Sequence, residues 1–211
     1  MRRVVVCLLA LLAIALSAAA PTPARASTSG RHVCLDPGHG GSDPGAVYAG
    51  MQEKDLTLQI AQQTAAALTS DGAIVTLTRT GDAALGNSER AAICNAASAE
   101  IVVSIHLNAS SNSSADYAQV FYGKRIKDLA FAKAIDGAYR PTVPGGTEPL
   151  PHAAVTNFAN GTLLHANGPA ALVETVFLSN PAEQTVLAAG TRQQEIAQQL
   201  YGAISSWLTA H

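Results

Sequence analysis

Aromatic residues are scarce, at 5% of the 211-residue chain with a single Trp, so a broad sugar-stacking platform is not expected. Charge is sparse as well: 13% of residues are Asp, Glu, Lys or Arg, the formal net charge is −2, and no basic run stands out. Nucleic acid is therefore not an expected partner, because its phosphates call for a clustered positive surface. There are three cysteines, and none has a nearby Cys or His at zinc-finger spacing. No Gly-x-Ser-x-Gly turn is present, which excludes the usual hydrolase serine elbow. Neither Gly-x-x-x-x-Gly-Lys-Ser/Thr nor a strand-borne Gly-x-Gly-x-x-Gly occurs, so nucleotides are not implied, and His-Glu-x-x-His is missing too.

The first residues read as an address rather than as fold. Arg2 and Arg3 precede an apolar stretch from Val4 to Ala20, and Ala24-Arg25-Ala26 offers small residues for cleavage. That is the layout of a secretory signal peptide over residues 1–26, and 17 apolar residues lie at the short limit for a membrane span. The expectation is a secreted protein, periplasmic or in the cell wall, with no stable membrane anchor. Residues 27–211 then form one domain of 185 residues, enough for a real core and too few for two comfortable ones. Losing the leader removes three Arg and no acid, leaving 10 Lys+Arg against 15 Asp+Glu. Cys7 leaves with it, and the remaining Cys34 and Cys94 are expected to pair in the oxidising exterior. A monomer is the default expectation.

Apolar β-branched runs alternate with helical patterns along this domain. His32–Leu35, 73–78, Ile101–Ile105, Tyr117–Tyr122 and Ala170–Val173 read as strands. Residues 53–70, 87–97 and 126–139 read as helices, and 181–208 as one long closing helix. The 141–151 stretch, rich in Pro and Gly, reads as a loop at the rim of a site. Alternation of this kind predicts a single-domain α/β fold, with a twisted, mostly parallel sheet of about six strands flanked by helices on both faces.

The stretch Leu35-Asp36-Pro37-Gly38-His39-Gly40-Gly41-Ser42-Asp43-Pro44-Gly45 holds four glycines and two prolines in eleven residues. Such a stretch cannot form a regular element, and it serves to hold one imidazole, His39, at the end of a strand. His106 follows the run 101–105 and Glu174 follows 170–173, so both also sit at strand ends, where ligands of parallel sheets gather. Glu53 opens the helix after the first loop and returns a carboxylate to the same edge. A histidine at a strand end is commonly a core or capping residue, and Glu53 has a role to play at a helix N-terminus alone. Four such groups converging makes a different reading: three to hold a metal and one carboxylate free to move a proton. Spacing leaves open which Glu does which; proximity to His39 favours Glu53 as the ligand. His152 and His165 lie in loops within reach of such a site.

Five segments together resemble the zinc-dependent N-acetylmuramoyl-L-alanine amidases of the type-3 amidase group. They are Leu35–Gly41, Glu53–Leu56, Thr78-Arg79, Ser104–Ala109 and Val173–Asn180, in the order of that family. The resemblance implies one zinc per chain held by His39, Glu53 and His106, with Glu174 as the catalytic carboxylate. It implies hydrolysis of the amide between the lactyl group of N-acetylmuramic acid and L-alanine, in peptidoglycan or muramyl-peptide fragments. The size is similar to that of the small single-domain actinobacterial and mycobacterial forms. Leu107 and Val176 stand where the family commonly has smaller residues, and Val176 is expected to narrow the pocket beside Glu174. Two other readings compete: an inactive secreted peptidoglycan-binding module, and a zinc peptidase acting within the stem peptide.

Overall fold

The computed structural model describes residues 28–211; the expected signal peptide, residues 1–26, lies outside the described residues. The elements in chain order are β1 (His32–Pro37), β2 (Val47–Tyr48), β3 (Met51–Gln52), α1 (Glu53–Ser70), β4 (Ile74–Leu77) and α2 (Asn87–Ala96). They continue through β5 (Ile101–Asn108), β6 (Gln119–Tyr122), α3 (Arg125–Ala138), β7 (Thr156–Asn157) and α4 (Gly161–His165). The chain closes with β8 (Ala170–Phe177), α5 (Pro181–Ala188) and α6 (Thr191–Ala210). One six-stranded sheet runs in the order β4-β1-β5-β8-β6-β7. The first four strands are mutually parallel, and β6 joins β8 antiparallel. The fold is the expected α/β sheet, mostly parallel and covered on both faces.

Side chains alternate across a strand, so each face of this sheet can be read from every second residue. One face carries Val33 and Leu35, then Ile101, Val103, Ile105 and Leu107, then Ala171 and Val173, all buried. Against them pack Leu56, Ile60 and Leu68 of α1, Phe131 and Ile135 of α3, and Ile196, Leu200 and Ile204 of α6. The other face has two halves. Its first half is apolar, with Cys34, Val102, Ala170 and Leu172 covered by Cys94 of α2 and Leu163 of α4. Cys34 and Cys94 form the expected disulfide, which ties β1 to α2. Further along the same strands, this face turns polar: Asp36, Ser104, His106 and Glu174.

Several expectations are corrected. The apolar runs ending at 105 and 173 do not end their strands: β5 continues through His106 to Asn108, and β8 through Glu174 to Phe177. A polar side chain breaks the hydrophobic run without breaking the ladder. The closing helix is two helices, because Gly190 takes a φ of 78° in the left-handed region and turns the chain between α5 and α6. The 141–151 loop does not reach the pocket; Thr142 donates to Glu195 and Leu150 is buried, tying the loop to α6. Val176 is buried in the core on the other side of the sheet and leaves the pocket unnarrowed.

Candidate metal centre

The polar half of the sheet face lies beneath the loop between β1 and α1. That loop is shaped by close approach. A Cβ on Gly38 would come within 2.2 Å of the His106 ring, and one on Gly45 within 2.5 Å of Glu53 Oε2. His39 itself has a φ of 60°, a conformation that is uncommon for any residue but Gly and costs on the order of 1–3 kcal/mol unless its surroundings impose it. They do so through buried hydrogen bonds. Arg90 donates to the carbonyls of Pro37 and His39, at 2.7 and 2.6 Å. Arg79 donates to the carbonyls of Pro37, Gly38 and Lys54, at 3.1, 2.8 and 2.7 Å.

Asp36 completes this support. Its buried carboxylate accepts from Thr78, Arg90 and Ser104 at 2.6, 2.8 and 2.7 Å. The loop then feeds directly into α1. The first N–H groups of that helix have no intrahelical partners, and the carbonyls of Ala46 and Pro44 accept from Glu53 and Lys54 at 2.9 and 3.1 Å. Glu53 is thereby fixed as the first residue of the helix.

Three of the four expected residues meet at one point. His39 Nε2 lies 3.0 Å from Glu53 Oε1, His106 Nδ1 lies 3.1 Å from the same oxygen, and the two nitrogens are 3.2 Å apart. Four ligands around zinc at about 2.0–2.1 Å define a tetrahedron with edges of roughly 3.3–3.4 Å, so this donor set fits such an ion closely. His39, Glu53 and His106 form a cluster that could hold a metal ion. The remaining ring nitrogen of His39 faces Asp43 Oδ2 at 2.8 Å, the outer carboxylate that metal-binding histidines commonly use to fix their tautomer. The other oxygen of Glu53 accepts from the Ala46 N–H at 2.9 Å, and Oε1 also accepts from the Leu107 N–H at 3.0 Å.

The electrostatics follow from this crowding. Burial by itself would raise the Glu53 carboxyl, but the hydrogen bonds and charges of His106 and His39 hold it down at about 2. Burial opposes the charge on His39, yet Glu53 and Asp43 raise it to about 9. Glu174 behaves differently. Burial raises it to about 7, with the Glu53 charge adding to the rise and His106 and His39 opposing it. It is the register partner of His106 across the β5–β8 ladder, so it stands one strand beyond the cluster. Its Oε2 is buried without a hydrogen-bond partner among the described residues, a placement that costs free energy unless something else uses the group.

All four residues line one pocket of about 410 Å³, together with Asp43, Leu85, Asn87, Arg90, Phe158, Asn160 and Leu172. His152 and His165 do not: the former pairs with Asp136 and the latter with Ser88. Asp36, Asp43, Arg79 and Arg90 are site residues that no ligand pattern in the sequence marks. Asp43 sits four residues from His39 within the glycine-rich stretch. The Arg79 signal was the Thr78-Arg79 pair.

Comparison with known proteins bears on the family and the fold. Residues 33–206 match the family model described as N-acetylmuramoyl-L-alanine amidase. The germination-specific N-acetylmuramoyl-L-alanine amidase of Bacillus subtilis is 36% identical over 198 residues, covering 86% of this chain and 81% of its own length. The catalytic domain of the amidase CwlV from Paenibacillus polymyxa superposes with a TM-score of 0.77 at 27% identity, over 86% of this chain and 99% of that one. Ami1 from Mycobacterium smegmatis, at 23% identity, shares the fold with a TM-score of 0.73, covering 88% of this chain and all of its own. The chain belongs to the N-acetylmuramoyl-L-alanine amidase family.

Proposed function

We propose that this protein hydrolyses the amide bond between the lactyl group of N-acetylmuramic acid and L-alanine, with His39, Glu53 and His106 as zinc ligands and Glu174 as the catalytic carboxylate. The observation that carries the reading is the pairing of two environments side by side. Three donors stand at tetrahedral edge distances, next to a carboxyl that burial has raised to about 7 and left with an unpartnered oxygen. A group with that pKa can take and return a proton at neutral pH.

Zinc, when bound, supplies Lewis-acid polarisation of the amide carbonyl and acidifies a water molecule. The chain's own residues do the rest. Asp43 faces His39 Nδ1, so in the neutral ring that a metal would require the proton sits on Nδ1 and the Nε2 lone pair is directed at the cluster. Glu174 removes a proton from water as its oxygen bonds to the carbonyl carbon. The carboxyl then delivers that proton to the amide nitrogen as the C–N bond breaks, yielding a lactyl carboxylic acid and a free amine. Glu53 stays ionised throughout, since its pKa lies far below that of Glu174.

The substrate is peptidoglycan or its muramyl-peptide fragments, and the catalytic unit is residues 27–211 after removal of a signal peptide over residues 1–26. The mature protein acts as a secreted monomer. Among the described residues no helix is long and apolar enough to cross a membrane. The test is metal analysis of the purified mature protein together with product analysis on muramyl dipeptide, with and without chelator. About one zinc per chain and chelator-sensitive release of intact dipeptide are expected. Release of free amino acids would favour a stem peptidase, and a metal-free inactive protein would favour a binding module.

A further inference from the structure

The pocket does not stop at Glu174. On the same sheet face, Gln119 of β6 is the register partner of Glu174, and Phe121 is the partner of Leu172. Phe121 in turn pairs with Thr156 of β7. Phe158, just past β7, rests on Phe121 with ring centroids 5.4 Å apart. The floor therefore runs from the metal cluster across β8 and β6 to an aromatic side chain that is 47% exposed. Among the described residues, four large apolar side chains are exposed: Val47, Ile74, Ile126 and Phe158. Of these, Phe158 alone lines the pocket. Asn160 lies beside it; its side-chain oxygen is engaged at the start of α4, which leaves the amide N–H groups free to donate.

The strand order gives this wall a direction. The metal cluster sits over β1 and β5, while Glu174 is one strand further along, toward β6 and β7. An amide bound productively turns its carbonyl oxygen to the cluster and its nitrogen to the proton donor. Its acyl half then lies on the cluster side, and its amine half continues past Glu174. Resting on the amidase reading above, we infer that Phe158, with Gln119 and Asn160, forms the subsite for the amine half of the substrate: an extended stem peptide that presents an apolar first residue. Phe158 receives the aliphatic side-chain carbons, the Asn160 amide N–H meets a peptide C=O, and the Gln119 carbonyl, whose amide N–H donates to Thr156 at 3.3 Å, meets a peptide N–H. The sugar half lies on the opposite side of the cluster.

The experiment uses the zinc-loaded mature protein, Phe158→Ala, and Phe158→Tyr as the conservative rescue. A free stem peptide, the amine product, is titrated into each by calorimetry, which reads binding without turnover. In parallel, kcat/KM is measured on muramyl peptides of one to five stem residues and on one to four sugars. Phe158→Ala should bind the peptide roughly tenfold more weakly, the scale expected when about half an aromatic side chain loses contact. Its kcat/KM deficit should grow with stem length and ignore glycan length, and Phe158→Tyr should restore both. Equal peptide affinity in all three proteins, no measurable binding to the parent protein, or a deficit that follows glycan length would overturn the subsite. Cleavage at a bond other than lactyl–alanine would instead remove the amidase reading, while the titration still reports on Phe158.

Discussion

The two halves of one sheet face are built from the same three strands and held together by different forces. In the first half, Cys34, Val102 and Leu172 are covered by α2 and α4 and stapled by the Cys34–Cys94 disulfide. Two residues further along each strand the side chains are polar: Asp36 is buried against Arg90 of α2, Ser104 is buried and donates to Asp36, and Glu174 opens onto the pocket. An open half cannot be kept rigid by apolar burial, because its function needs access. It is kept rigid by charge-assisted hydrogen bonds from two buried arginines to the backbone of the His39 loop. The contrast shows how one face serves as both core and site: apolar packing anchors the strands, and directed polar contacts aim the side chains at their free ends.

The largest effect should come from the open half. Glu174→Gln keeps the shape of the side chain and abolishes proton transfer, so turnover should fall by ~10²–10⁴-fold with metal content unchanged. The sign of the pH dependence follows from the raised pKa: a base must be ionised, so activity falls as pH drops through the Glu174 pKa. That value is about 7 without a cation, and a bound cation favours the carboxylate and moves the acid limb below it. The limb should vanish in Glu174→Gln. Near-normal turnover in the variant would remove Glu174 from the chemistry.

Next comes the support of the open half. Arg90→Met removes the cation from a buried pair with Asp36 and takes two donors from the loop carbonyls. Breaking a buried ion pair by deleting one partner costs about 3–5 kcal/mol, which urea unfolding would register directly. A loss below about 1 kcal/mol would mean that the open half is held by something other than these contacts. The closed half offers the matching test. Replacing Cys34 and Cys94 together by Ala opens a link spanning 60 residues and should cost about 2–4 kcal/mol. The disulfide is the tie of the apolar half, so the metal affinity of the double variant should stay close to that of the parent.

How much of this was legible in the sequence divides along the same line. The β-branched runs, the glycine-rich loop and the four residues His39, Glu53, His106 and Glu174 were all visible, because each leaves a local signature. Strand ends were misplaced at His106 and Glu174, since a polar residue facing a site interrupts a hydrophobic pattern without ending the ladder. The two-residue strand β7 is too short to carry a period, and the break at Gly190 was hidden by a single glycine within a helical stripe. The Asp36–Arg90 pair spans 54 residues, and which buried arginine meets which carboxylate is decided only by the fold. The Phe158 wall is of the same kind: nothing local marks a lone Phe as the far end of a pocket.

Asp43 tests the smallest element of the open half, an acceptor that acts through the His39 ring. It is an exposed side chain whose structural contribution is a hydrogen bond to His39 Nδ1 at 2.8 Å and one to the Gly45 N–H at 3.0 Å. Its carboxylate makes the Nδ1–H tautomer the favoured one, which frees Nε2 for a metal. Asp43→Asn is nearly isosteric and removes the negative charge. Loss of such an outer carboxylate typically costs about 10–100-fold in metal affinity or activity. Competition for zinc with a chromophoric chelator should show the weakening, while unfolding by urea stays nearly unchanged, because the side chain is exposed. Asp43→Ala should weaken zinc further, since the orienting acceptor is lost along with the charge. If both variants bind zinc as the parent does, the loop conformation at His39 is sufficient by itself to aim the ring, and the rigidity of the open half resides wholly in Arg79, Arg90 and Asp36.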